Sequence, residues 1–188
     1  MSVGAFLTRA ATQEDIGGIS ACINAAYEHY IARIGKPPGP MLDDYAEVVR
    51  KHTVFVIESD PSAAHHNDEP DNGEPDNGEL TDFNSGSANS QGIMGVLVLI
   101  EVEPEKRLGG FRLDNVALHP AVQGKGLGRQ LMALAEEVAT ERGHETIHLY
   151  THERMTENLS IYQRSGYEEV ERRSEKGFAR IYLQKKLT

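Results

Sequence analysis

The sequence predicts an α/β fold, one domain built on a mixed, largely antiparallel sheet of about six or seven strands with helices on both faces. Three observations point there. A chain of 188 residues is long enough for one sizeable core and short for two. Runs rich in Val, Ile and Leu recur at strand length, at residues 92–102 and 111–118 among others. Between such runs Leu127, Leu131, Leu134 and Val138 recur at steps of four, three and four, the stripe of an amphipathic helix.

In chain order, a first strand precedes Thr12-Gln-Glu-Asp, which supplies an N-cap and an acidic first turn. Ile16, Ile19, Ile23 and Ala26 carry that helix to about Tyr30. Cys22, the chain's one cysteine, falls within the same apolar pattern and reads as a packing thiol without chemistry. Gly35-Lys-Pro-Pro-Gly-Pro breaks the helix, and a second short one from about Leu42 to Lys51 leads into a strand, Thr53 to Glu58. After residues 60–90, the strand Gly92 to Val102 turns at Gly109-Gly110 into Phe111 to Leu118, which His119-Pro120 ends. The strong helix opens at Gly126 and closes at Arg142 and Gly143, a last-turn cation and a C-terminal glycine. Then come a strand at about Thr146 to Tyr150, a helix from about Thr156 to Arg164 closed by Gly166, and the strands Tyr167 to Arg173 and Phe178 to Lys185. Lys176-Gly177 fits a hairpin turn between the last two. These connections imply antiparallel neighbours with one local parallel pair around the strong helix.

Residues 60–90 stand apart. They contain the tandem Glu69-Pro-Asp-Asn-Gly and Glu74-Pro-Asp-Asn-Gly, eight acids and no Lys or Arg, and end in a Ser, Asn and Gly-rich stretch. Such composition buries too little apolar surface to offset its ordering entropy, so a disordered acidic insert in the single domain is expected. It also holds most of the formal charge of -10, because the rest of the chain has 21 acids against 19 bases. A nearly neutral domain without a basic surface excess argues against nucleic acid as a partner. His65-His66 has no second pair at ligand spacing, so no metal is expected. No apolar run approaches the roughly 20 residues of a membrane helix. Met1 to Arg9 lacks the basic flank and apolar stretch of a secretory signal, and with a lone cysteine this predicts a cytoplasmic setting.

The chemistry-bearing segment is Gln123-Gly124-Lys125-Gly126-Leu127-Gly128-Arg129, between a strand and the strong helix. Glycines let consecutive N–H groups turn inward and the helix start adds positive dipole, an arrangement that can hold a pyrophosphate, with Lys125 and Arg129 adding charge at the rim. A Walker loop is absent, and the dinucleotide fingerprint wants a glycine where Arg129 stands. A nucleotide-binding domain of another class remains a rival, separable by testing coenzyme A against ATP and NAD.

With the preceding Leu113-Asp-Asn-Val-Ala-Leu-His-Pro, the loop resembles the acyl-CoA-binding motif of the GNAT superfamily, matched by Gln123, Gly126 and Gly128. A second match follows at the family's spacing: Asn158-Leu-Ser-Ile-Tyr162-Gln-Arg-Ser-Gly166-Tyr167 is similar to its Asn-x-x-x-x-Tyr-x-x-x-Gly-Phe/Tyr helix. The resemblance covers about residues 5–187 and implies a GNAT-type sheet, with acetyl-CoA as co-substrate of an N-acetyltransferase. It implies that main-chain groups of Val116, Ala117 and Leu118 bind the pantetheine arm, that Gln123 to Arg129 hold the pyrophosphate, that Asn158 contacts the cofactor, and that Tyr162 protonates the departing thiolate. A thiol pKa of about 8.5 against about 10 for tyrosine suits that transfer. The attacking alkylamine must also lose a proton. Asp114 is the first candidate base, with Glu101, Glu103 and His119 as others beside the central strands. Tyr27, Tyr30 and Arg33 share a helix face, where they can stack on and ion-pair with a carboxylate-bearing amine or merely pack helix on sheet. The acceptor is expected to be a primary amine of a small molecule, amino acid or peptide, used by direct attack in a ternary complex. A homodimer is left open, as is a non-catalytic acyl-CoA sensor of the same fold.

Overall fold

Gly35 ends the first helix. It adopts a left-handed φ of 88°, and its N–H bonds back to the Ile31 carbonyl, so α1 (Ile16–Ile34) runs past the expected stop at Tyr30. At the other end Thr12 caps a short 3-10 turn, and its N–H donates to Asp15 Oδ2 at 2.7 Å. Asp15 also receives both Nη atoms of Arg9 at 2.8 Å, and Arg9 reaches Glu58 Oε2 at 2.8 Å. One guanidinium thereby ties strand β2 (Phe6–Ala10), the start of α1 and strand β3 (Thr53–Ser59).

The Arg9 hydrogen bonds hold the Asp15 carboxyl down at about 2, against an ordinary 3.8. A depressed folded-state pKa stabilises the fold above the unfolded value, and that contribution disappears as pH falls from about 4 through about 2. It amounts to roughly 2 kcal/mol by linkage. Arg9→Ala is therefore expected to lower stability at pH 7 and to flatten the dependence of urea-unfolding free energy on pH across that window.

The computed structural model describes residues 2–3, 6–59, 92–103 and 110–187. The expected acidic insert, its His65-His66 pair and Gly109 lie outside the described residues. The remaining elements are β1 (Ser2–Val3), α2 (Tyr45–Lys51), β4 (Ile93–Val102), β5 (Gly110–Leu118), α3 (Leu127–Glu141), β6 (Thr146–His152), α4 (Thr156–Arg164), β7 (Glu168–Glu175) and β8 (Phe178–Lys186). They form one sheet in the order β1-β2-β3-β4-β5-β6-β8-β7. Among the described residues the two-residue β1 brings the strand number to eight, against about six or seven expected. Among the described residues only β5 and β6 run parallel, and every other neighbouring pair is antiparallel. Lys176 and Gly177 turn β7 into β8 with φ of 50° and 73°, the two positive values a tight hairpin with right-handed twist requires.

Helices cover both faces. The α3 stripe packs Leu127, Leu131, Ala135 and Val138 against Leu97, Phe111 and Ile147 on one side. On the other, Ile19, Ile23 and Tyr27 of α1 meet Val54, Val96 and Val98. Cys22 lies in this second cluster at 1% exposure, where burial pushes its thiol up to about 11 and keeps it protonated.

Candidate active site

One extra residue opens the sheet. Val98 of β4 faces Asn115 and Leu99 faces Leu113, so Asp114 has no partner opposite and forms a β-bulge. The bulge exchanges the two faces of β5: Phe111 and Leu113 point toward α3, whereas beyond it Asn115 and Ala117 point toward α1, and Val116 and Leu118 toward α3. Bulges bend a strand and increase its twist. Accordingly β5 pairs with β6 only at Phe111 with Ile147 and Arg112 with His148, after which the two strands diverge.

The divergence leaves main-chain groups of β5 facing a gap. His119 N–H donates to Met94 O across the β4 ladder at 2.8 Å, and alternate residues of a strand direct their polar groups to the same side. Ala117 and Asn115 therefore share the β4 side, whereas Val116 and Leu118 face the gap. This corrects the expectation that residues 116–118 act as a block, since the groups of Ala117 belong to the ladder. Gln123 Nε2 donates to Leu118 O at 3.1 Å and joins the end of β5 to the glycine loop.

At the end of the gap lies the start of α3. Gly124 and Gly126 take φ of 77° and 83°, and a Cβ on either would meet nothing within 4 Å. Gly126 is the N-cap and no side chain caps the helix, so the first amides, those of Leu127 and Gly128 among them, point outward without an intrahelical partner. Lys125 and Arg129 stand exposed beside them. The open space at the glycines, the uncapped amides and the helix dipole fit the diphosphate of coenzyme A.

Tyr162 of α4 lines the cleft at 7% exposure, and none of the hydrogen bonds among the described residues involves its hydroxyl. Burial, with a smaller effect of Tyr30, pushes that hydroxyl above its ordinary value of 10. Asn158, one turn earlier, lines the same cleft and accepts from Tyr30 Oη at 3.4 Å. Tyr27 is also there, and its hydroxyl donates to Asn115 Oδ1 at 2.7 Å. Asn115 in turn donates to Tyr45 Oη at 3.2 Å, and Tyr45 donates to Pro40 O at 2.8 Å, which fixes the proline-rich turn against β5.

Arg33 does not join the cleft. Its Nη1 pairs with Glu157 at 2.7 Å and donates to Arg154 O at 3.2 Å, and its guanidinium lies 5.3 Å from the Tyr30 ring centre. The reading of Arg33 as an acceptor contact gives way to one in which it locks α1 onto the start of α4, and Tyr30 is packed beneath it at 5% exposure. Among the candidate bases, Asp114 lines the cleft, with Arg112 Nη2 at 2.8 Å. Glu101 is paired with Arg142 at 3.0 Å, opposite Phe111 and so at the far end of β5, and Glu103 follows it. His119 Nδ1 accepts from Ala121 N at 3.3 Å in the turn before the glycine loop.

Several cleft residues escaped sequence reasoning, among them Asn115, Tyr150, His152 and Arg180. Tyr150 and His152 are two apart on β6 and share a face, a signal obscured because the strand was expected to stop at Tyr150.

Residues 87–169, which carry both the glycine loop and the Tyr162 helix, match the family model of the Acetyltransferase (GNAT) domain. That stretch of the chain is similar to the GNAT acetyltransferase domain. An N-acetyltransferase of uncharacterised role from Bacillus subtilis, YvbK, is 33% identical over 75 residues, 40% of this chain, and the matched stretch spans 46% of that relative's length. Solved structures share the fold across nearly the whole chain. A GNAT-family acetyltransferase from Desulfovibrio desulfuricans superposes with a TM-score of 0.64 at 14% identity, covering 98% of this chain and all of that one. The PaiA N-acetyltransferase of Thermoplasma acidophilum, solved with coenzyme A, gives 0.61 at 14% identity over 99% of both.

Proposed function

We infer that this chain is a member of the GNAT superfamily, an acetyl-CoA-dependent N-acetyltransferase acting on a primary amine by direct attack in a ternary complex. The observation that carries this is the bulge-opened divergence of β5 from β6, with Val116 and Tyr162 lining one cleft and the uncapped start of α3 beyond the end of β5. In this reading the amides of Gly126 to Gly128 hold the diphosphate, and the main chain of Val116 and Leu118 pairs with the pantetheine arm.

The amine nitrogen forms a bond to the thioester carbonyl carbon as the carbon–sulfur bond breaks. The N–H of Val116 or Leu118 is the available donor to the carbonyl oxygen as it gains charge. Tyr162 gives its proton to the leaving sulfur and regains one from solvent. Its raised pKa keeps the phenol protonated throughout the neutral and mildly alkaline range. Asp114, directly or through water, takes the proton that the amine loses.

The direct test is thiol release from acetyl-CoA over a panel of amines, amino acids and peptide N-termini, alongside calorimetry with coenzyme A, ATP and NAD. Coenzyme A should bind and the two nucleotides should not. Binding of coenzyme A with no thiol released above background by any acceptor would instead make the chain an acyl-CoA sensor.

A further inference from the structure

The two walls of the cleft present groups of opposite charge, each drawn from an ion pair: Asp114, held by Arg112, and Arg180, held by Glu175. On the β5 side stands Asp114, whose charge adds to burial in pushing up the carboxyl of Asp43. On the other side His152 of β6 and Arg180 of β8 are direct cross-strand partners, and both line the cleft. Side chains so paired have Cβ atoms roughly 5 Å apart and can act on one ligand together.

Both groups are held in place. The Arg180 side chain is 17% exposed; its guanidinium lies 4.1 Å from the Tyr150 ring centre and donates through Nη1 to Glu175 Oε2 at 2.7 Å. A guanidinium has donors on three nitrogens in a planar fork; the ion pair uses one of them, and the fork also interacts with the Tyr182 hydroxyl. His152 Nδ1 accepts from Arg154 N at 3.1 Å, so the neutral ring carries its proton on Nε2. Burial first, then the cations Arg154, Lys36 and Arg180, lower its pKa from the ordinary 6.5 against the opposing effect of Glu153. At neutral pH it is therefore an uncharged donor beside a fixed cation.

A fixed cation and a fixed donor on adjacent strands, across from a carboxylate, suit a ligand with an anionic and a cationic end. Resting on the transferase reading above, we propose that the acceptor is a primary amine bearing a carboxylate, which Arg180 and His152 hold while the amino group turns toward Asp114 and Tyr162. A phosphate is a poorer match, because it would bring close to two negative charges between Asp114 and Glu175. Arg180 thus fills the role that Arg33, paired with Glu157 outside the cleft, does not.

The test uses matched acceptors: amino acids, their amides, the amines that lack the carboxylate, and aminoalkyl phosphates. Each is measured for binding to the coenzyme A-saturated protein by calorimetry and for thiol release from acetyl-CoA. The carboxylate member of a matched set should bind, and show kcat/KM, at least about tenfold better. Arg180→Met should bring that ratio close to one, with KM rising more than kcat falls, and Arg180→Lys should restore part of it. Preference for the amide, the carboxylate-free amine or the phosphate overturns the proposal, as does an unchanged ratio in Arg180→Met. Coenzyme A binding reports whether each variant is folded, and the wild-type ratio decides should Arg180→Met not fold. Selective binding of the carboxylate member without thiol release from any acceptor would support the anion site and count against the transferase reading.

Discussion

Tyr162→Phe is expected to lower kcat for thiol release by about 100-fold or more, the usual scale for loss of a positioned proton donor, while the KM for acetyl-CoA stays nearly unchanged. The substitution removes one oxygen from a side chain packed beside Tyr167 with ring centres 6.1 Å apart, and it breaks no hydrogen bond among the described residues. The fold should tolerate it, and thermal unfolding of the variant checks that directly. Loss in kcat alone identifies an interaction made in the transition state and absent from the ground state. Equal kcat in the two proteins would remove Tyr162 from the mechanism and leave solvent to protonate the thiolate.

Gly126→Val should weaken coenzyme A binding by about 10- to 100-fold, the loss of one charge-assisted main-chain contact at about 1.5–3 kcal/mol. The residue sits at φ 83° as the N-cap of α3, where a β-branched side chain is both strained and placed over the amides that would receive the diphosphate. Left-handed backbone costs an L-residue roughly 1–2 kcal/mol, so the melting temperature should also fall by about 2–8 °C. Gly143→Ala supplies the control. It imposes similar strain at φ 78° beyond the other end of the same helix, and is expected to lower the melting temperature without changing calorimetric affinity for coenzyme A.

What the sequence revealed follows the range of the forces involved. The helix Thr156–Arg164 was legible to its ends, because capping and periodicity are local, and Lys176-Gly177 announced its hairpin because few residues accept two positive φ values. The glycine loop and Asn158 with Tyr162 were legible as motifs, and the structure brings Tyr162 and Asn158 into one cleft with Tyr27. Contacts between distant segments were not. Nothing near Arg33 foretells that Glu157, on another helix, will take its charge, and nothing near Arg180 foretells that His152 will stand opposite it. The bulge at Asp114 was equally hidden, since Leu113-Asp-Asn-Val-Ala reads as an unbroken strand until its partner's register is known.

That bulged aspartate has an unusual property for an engineer. Because the inside and outside positions of β5 already change over at residue 114, a chain lacking it would keep every apolar side chain on its present side and restore a regular ladder with Val98 and Leu99. Nothing would then steer the strand away from β6, and the seam between them could zip shut. A one-codon deletion would separate the ability to fold from the ability to admit a ligand, with the oily interior left almost as it was.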